Sequence, residues 1–386
     1  MISRTDRSLA SEWWWTVDRG LVGAVLLLMV TGLVVSLAAS PPVAARLHLS
    51  TFHFVHRQAL YLVPAAIALI ATSTLDMRQT RRAALGLYVV SLLLIVLALK
   101  FGVEVKGSRR WIFGVQPSEF LKPAFVVLVA WAFSEGGKGR DRPGAWIAFA
   151  LLPVTIVPLL MQPDFGQTML LSIVWAALFF MAGLHWLWVA GIGGVGGVGV
   201  MAAYKLSPHV HERISQFLGG GAATANGGAA SFQVDTALAS FVSGGLFGRG
   251  PGEGIVKRSL PDSHTDFAFA VVGEEFGVVA CMAIAAVFAF VVVRGLFLAS
   301  RDDDPFARFA AAGLLTLFGL QSVINMAVDV HLMPAKGMTL PFISYGGSSL
   351  ISLAIEMGFL IAVTRRRPRA SLSSVGEAPF AAAPAE

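Results

Sequence analysis

The sequence predicts an all-α polytopic integral membrane protein: about ten transmembrane helices, with a long extracytoplasmic loop between helices seven and eight. Two observations lead there. Of its 386 residues, 56% are hydrophobic and 13% charged, about half the roughly 25% charge of ordinary soluble domains. The apolar residues also gather in runs of about 20, enough for a helix to cross the ~30 Å hydrocarbon core. These counts exclude disorder, a disulfide scaffold and a cytosolic enzyme. The net charge of +6 is scattered in short clusters at the ends of apolar runs, which is membrane topology rather than a nucleic-acid surface. The single cysteine, Cys281, lies in an apolar run, and no Cys/His metal-ligand spacing is present.

The first span, near residues 20–40, follows an interfacial belt of Trp13, Trp14 and Trp15. It ends in Ala38-Ala39-Ser40, which mimics a signal-peptide cleavage site. Its apolar part is too long for such a signal and nine spans follow, so it is read as uncleaved. The remaining spans fall near 59–75, 83–100, 121–135, 145–161, 168–184, 186–204, 267–293, 306–330 and 345–364. Ten spans place both termini on one side. Arg365, Arg366, Arg367 and Arg369 follow the last span and Arg4, Arg7 and Arg19 flank the first, so that side is cytoplasmic. The loops with Arg78, Arg81 and Arg82, with Lys138, Arg140 and Arg142, and with Arg294, Arg301 and Arg308 fall on the same face. The chain thus divides into a cytoplasmic segment 1–18, a transmembrane domain 19–367 with an outer loop at about 205–266, and a disordered cytoplasmic tail 368–386. Within the loop, Gly219–Ala230 has the composition of a flexible linker.

The outer face carries cations against this bias: Lys106, Arg109 and Arg110 after span three, and Arg213, Arg249, Lys257 and Arg258 in the long loop. Either they hold an anionic ligand such as a lipid phosphate, or they pair with Glu104, Glu212 and Glu253. Asp266, at the mouth of span eight beside His264, has the position of a general base. Ser263 and Asp266 also have capping-box spacing, which would make the carboxylate a helix cap. Glu274 and Glu275 lie two turns deeper, as structural partners or as site residues. Glu119 and Lys122 share a helix face at the start of span four, and Asp164 sits in a short outer turn. Finally, Pro334–Ser349 holds prolines, glycines and hydroxyls at membrane depth, a re-entrant element that lines a polar chamber.

Five of these motifs, in this order, resemble the SEDS family (shape, elongation, division and sporulation), over roughly residues 15–367. They are Lys106-Gly107-Ser108-Arg109-Arg110-Trp111, Gln116-Pro117-Ser118-Glu119, Gln162-Pro163-Asp164, His264-Thr265-Asp266-Phe267 with Gly273-Glu274-Glu275, and Leu340-Pro341 through Ser349. The run Pro334–Thr339, with Lys336, is similar to the division branch rather than the elongation branch. The resemblance implies a ten-helix fold and a peptidoglycan glycosyltransferase that polymerises lipid II at the outer face of the bacterial cytoplasmic membrane, at the division septum. It also implies inversion, with Asp266 as general base. The substrate-contacting set it implies is Lys106, Arg110, Trp111, Glu119, Lys122, Asp164, Lys257, His264, Lys336, Ser344 and Ser348, with Arg110 and Lys257 foremost at the pyrophosphates. A divalent cation, Mg or Mn, would assist there, although no dedicated ligand set is legible. Implied partners are a class B penicillin-binding transpeptidase of the FtsI type, other division proteins and membrane lipid, with no nucleic acid. The sequence departs from the family at Phe232, Asp329, Leu218–Gly221 and the Gly250–Gly254 run, which leaves Asp266 untouched and puts the setting of Lys257 in question. The competing functions are a lipid II flippase and a non-catalytic division scaffold.

Overall fold

The computed structural model describes residues 9–105, 108–136, 143–183, 186–206, 229–334 and 337–365. A helix stands at each predicted span: α2 (Arg19–Arg46), α3 (His53–Ser73), α4 (Met77–Phe101), α5 (Pro117–Gly136), α6 (Pro143–Met161), α7 (Phe165–Met181), α8 (Trp186–Leu206), α10 (Ala268–Ser300), α11 (Pro305–Asp329) and α12 (Gly347–Thr364). Two more, α1 (Leu9–Thr16) and α9 (Ala229–Gly244), lie before the first span and inside the long outer loop. Among the described residues seven helices are long and apolar enough to cross a membrane, and α7 is a shorter apolar helix. The predicted tail 368–386 and most of Gly219–Ala230 lie outside the described residues.

Helix starts follow local chemistry. Asp18 caps α2 by accepting from the Leu21 N–H at 3.0 Å, and Asp76 with Gln79 forms a reciprocal capping box at α4. The bundle is organised around α5, which is buried from Leu121 through Ala130 and packs against α4, α6, α11 and α12. Around it α12 lies along α3, and α10 lies against α2, α9 and α11. The outward stripes of α2, α3 and α4 expose Leu27, Val30, Leu60, Val63, Leu93 and Val96, the surface a lipid-facing helix presents. Between α4 and α5 the chain forms a two-stranded antiparallel hairpin, β1 (Val103–Val105) and β2 (Ser108–Trp111).

Span eight is not continuous. Gly277 adopts φ 79° and ψ 177° inside α10, breaking it about 14 Å from its first residue at 1.5 Å per residue. The loop after α9 restores the lost ladder. The N–H groups of Arg249 and Gly250 donate to the carbonyls of Glu274 and Glu275, while those of Val278 and Val279 donate to Gly245 and Leu246. Irregular backbone at this depth persists because protein, not lipid, satisfies it.

Candidate functional site

Asp266 sits in a run of turns ahead of α10, where the Asp262 carbonyl accepts from the N–H groups of Thr265, Asp266 and Phe267 at 3.0, 3.1 and 3.4 Å. The capping-box expectation is corrected here. The helix begins at Ala268, its N-cap is Phe267, and no side chain of the cap bonds to it. Asp266 therefore lies one residue before the N-cap, outside the N3 position that a capping box with Ser263 requires. Ser263 Oγ is buried with no hydrogen-bond partner among the described residues, and the Ala270 N–H is taken by Asp329 Oδ2, reaching across from α11 at 3.0 Å. Asp266 is half-buried and precedes the N-cap Phe267.

Two other segments converge on it. Gly337, at φ 63°, comes close enough that a Cβ there would lie 3.8 Å from Asp266 Oδ2. Tyr345 donates its main-chain N–H to the His264 carbonyl at 2.8 Å, and the His264 ring rests against Phe54 and Tyr345 with centroids 4.4 and 5.5 Å away. The Tyr345 hydroxyl lies beside Arg57, an exposed cation near the start of α3. Within the irregular segment, Ser344 Oγ accepts from the Leu340 N–H at 2.9 Å, and Thr339 and Ser349 join hydroxyls at 3.0 Å; Ser348 is buried at the start of α12. The segment is irregular between α11 and α12 and is packed against protein, the arrangement expected of a re-entrant element.

A second polar group lies deeper. Lys122, 1% exposed, meets Glu119 at 2.9 Å and Gln321 of α11 at 2.9 Å. Gln167 of α7 donates to Glu119 at 2.9 Å, and Ser352 of α12 to the Glu119 carbonyl at 2.7 Å. Glu356, buried on α12, lies in the field of the same pair. Asp164 caps α7 through the Gln167 N–H and pairs with Arg110 at 3.7 Å. Burial holds its carboxyl above the usual range, an effect that the nearby Arg110 opposes. Arg110 also donates to the carbonyls of Gln162 and Pro163, so it latches β2 onto the 162–164 turn. Trp111, half-buried, closes that hairpin opposite Val103.

Lys257 stands apart from both groups. It is 3% exposed, its ammonium rests on Glu275 Oε1 and donates to the Ala38 carbonyl at 3.0 Å. Its carboxylate partner is Glu275 rather than the predicted Glu253. Glu274, next to Glu275, accepts the N–H groups of Ile255, Val256 and Lys257 at 2.6, 2.7 and 2.8 Å. Both glutamates thus pin the 255–258 turn against α10. Arg109 pairs with Glu104 at 3.5 Å, the pairing alternative that its charge left open. Lys106 and Lys336 lie outside the described residues. Among the described residues no three His, Cys, Asp or Glu side chains gather as metal ligands.

The sequence reading missed Gln321, Asn325 and Arg57. Two amides four residues apart in an otherwise apolar helix were the available signal, since buried amides in a membrane span require partners. Asn325 donates to the main-chain carbonyls of Asp266 at 2.9 Å and Met338 at 2.6 Å, and Gln321 to that of Thr339 at 3.0 Å.

Comparison with known proteins agrees with this architecture. A family profile described as cell cycle protein, covering FtsW, RodA and SpoVE, matches residues 19–369. A Caulobacter vibrioides protein named probable peptidoglycan glycosyltransferase FtsW is 45% identical over 374 residues, covering 95% of this chain and 94% of its own. A Legionella pneumophila protein of the same name is 35% identical over 90% of each chain. Among solved structures, a chain from a study of how a peptidoglycan synthase complex coordinates polymerization and crosslinking superposes with a TM-score of 0.74. It is 26% identical and covers 90% of this chain and 97% of its own. The rod shape determining protein RodA of Thermus thermophilus superposes with a TM-score of 0.66 at 27% identity, covering 91% and 97%. With a profile spanning the whole helical domain and relatives matched almost end to end, this multi-pass membrane protein belongs to the SEDS family of FtsW, RodA and SpoVE.

Proposed function

We propose that this chain is a peptidoglycan glycosyltransferase that polymerises lipid II into glycan strands at the outer face of the cytoplasmic membrane during division, with Asp266 as the general base. The observation that carries the reading is the setting of Asp266. Its backbone carbonyl is tied to Asn325 of α11 at the mouth of α10, and its carboxylate faces Gly337 of the 337–346 segment, whose Cβ position lies 3.8 Å from Oδ2. In the reaction Asp266 takes the proton from the acceptor hydroxyl as that oxygen attacks the anomeric carbon of the donor sugar. The α-linked diphosphate departs from the opposite face with the bonding pair, so the new bond is β and no covalent glycosyl-enzyme forms. Outer-face cations offset the diphosphate charge, and a divalent cation, Mg or Mn, would add Lewis-acid assistance at the same diphosphate. A class B transpeptidase is the partner that crosslinks the product at the septum.

One observation favours a second reading, lipid II flipping: the buried Glu119, Lys122 and Gln321 group lies inside the bundle, where a translocated headgroup would pass. Polymerisation in detergent micelles separates the two, because a micelle offers no second leaflet. The purified chain with its cognate transpeptidase is expected to convert lipid II to glycan polymer, and Asp266→Asn to make none while remaining folded. Equal polymer from both proteins would remove Asp266 from the chemistry. Absence of polymer from the wild-type complex would turn the reading toward transport.

A further inference from the structure

We infer that Asn325 is a positioning residue for Asp266, an amide clamp that fastens the catalytic turn to the irregular segment facing it. This rests on the glycosyltransferase reading above. Asn325 is 2% exposed on α11, in a helix whose buried neighbours are otherwise mostly apolar. An amide in such a place is costly unless bonded. Its Nδ2 serves two carbonyls from separate parts of the chain: Asp266, 59 residues away, and Met338, 13 residues away. Its Oδ1 has no hydrogen-bond partner among the described residues, so the two donated bonds alone fix the side chain.

The geometry of the two carbonyls gives the clamp its meaning. Met338 follows Gly337, the residue whose Cβ position lies 3.8 Å from Asp266 Oδ2. Joining Asp266 to Met338 therefore sets the distance between the carboxylate and the backbone it faces. The clamp is also one rung of a stripe. Gln321, Asn325 and Asp329 are four residues apart on one face of α11 and hold Thr339, then Met338 with Asp266, then Ala270. Through Gln321 the stripe continues to the Lys122 ammonium, so the buried Glu119–Lys122 pair braces the outer segment from below. Of the three, Asn325 is the residue that touches the backbone of Asp266 itself. Gln321 and Asp329 fix the flanks.

The test uses the full chain with its transpeptidase. Asn325→Leu keeps the branching at Cγ and removes both N–H donors; Asn325→Ser keeps one donor. The leucine variant is expected to lose on the order of 10²-fold in kcat, the cost of a misplacement of about 1 Å, with KM for lipid II within about twofold of wild type. The serine variant falls between. Hydrogen exchange gives a readout independent of turnover: amides in 262–267 and 338–345 speed up together, while the α5 core stays protected. A folded variant, leucine or serine, that keeps wild-type kcat overturns the inference, as does exchange unchanged in both segments. If the wild-type complex makes no polymer, the glycosyltransferase reading falls, and the exchange experiment still decides whether the clamp exists.

Discussion

Lys257 shows how burial decides a residue's role where charge alone does not. Counted along the sequence it is one of several outer cations available to a diphosphate, but its ammonium is 3% exposed and rests on Glu275. A lysine so placed contributes structure, and removing it leaves an uncompensated carboxylate inside the protein. Lys257→Met is expected to cost about 3–5 kcal/mol, read as a lower thermal midpoint in detergent. Pairing it with Glu275→Leu should recover most of that loss, since neither charge then remains buried. A diphosphate ligand would behave the other way, with KM for lipid II raised and the midpoint unchanged. Arg110 divides its guanidinium between Asp164 and the carbonyls of Gln162 and Pro163. Arg57 is an exposed cation of α3 beside the Tyr345 hydroxyl. The motif spacing pointed to the right neighbourhood, but it carried no information on which cations are already partnered.

At the scale of the element, the break in α10 is the feature most sensitive to a single atom. Gly277 has φ 79°, and a Cβ there would run into the Leu246 carbonyl oxygen of the loop that repairs the ladder. Gly277→Ala is expected to cost at least about 1–3 kcal/mol from the backbone conformation alone. It should also release the 245–250 loop, which limited proteolysis after α9 would detect; a variant as stable and as resistant as wild type would show that the break is adaptable. Helix positions were legible because apolar runs of bilayer length have few alternatives, and all ten predicted spans meet a helix. The break was not legible. A glycine in an apolar run reads as continuous helix, and the groups that replace its hydrogen bonds come from about 30 residues upstream. The cap of α10 was hidden for the same reason. Ser263 and Asp266 have the right local spacing, but the group that reaches Ala270 is Asp329, from the end of the next helix. Local patterns predict local partners, and this site is built from distant ones.

For the whole molecule, two sets of long-range polar contacts outside the buried Glu119–Lys122 group lie at opposite ends. At one end Arg294 meets Asp18 at 2.7 Å, Arg81 meets Glu135 at 3.5 Å and Arg365 meets Glu12 at 3.8 Å. At the other, Arg46 donates to the Leu260 carbonyl at 2.8 Å, Arg110 pairs with Asp164, and Tyr345 bonds to His264. Every residue in the first group lies on the face that the arginine bias assigns to the cytoplasm, and every one in the second lies on the opposite face. The two groups of contacts thus lie at opposite ends of the bundle, and Asp266 falls with the second group. The buried single cysteine makes the orientation measurable, because Cys281 is 5% exposed within α10 and should not react in intact cells. Ser50 and Asp303 are exposed in the turns after α2 and α10. A membrane-impermeant maleimide is expected to label Ser50→Cys from outside and to leave Asp303→Cys unmodified until the cells are opened. The reverse pattern would place Asp266 in the cytoplasm. A polymerase for an extracytoplasmic wall would then be untenable whatever the chemistry of the carboxylate, because the growing strand and the aspartate would lie on opposite sides of the bilayer.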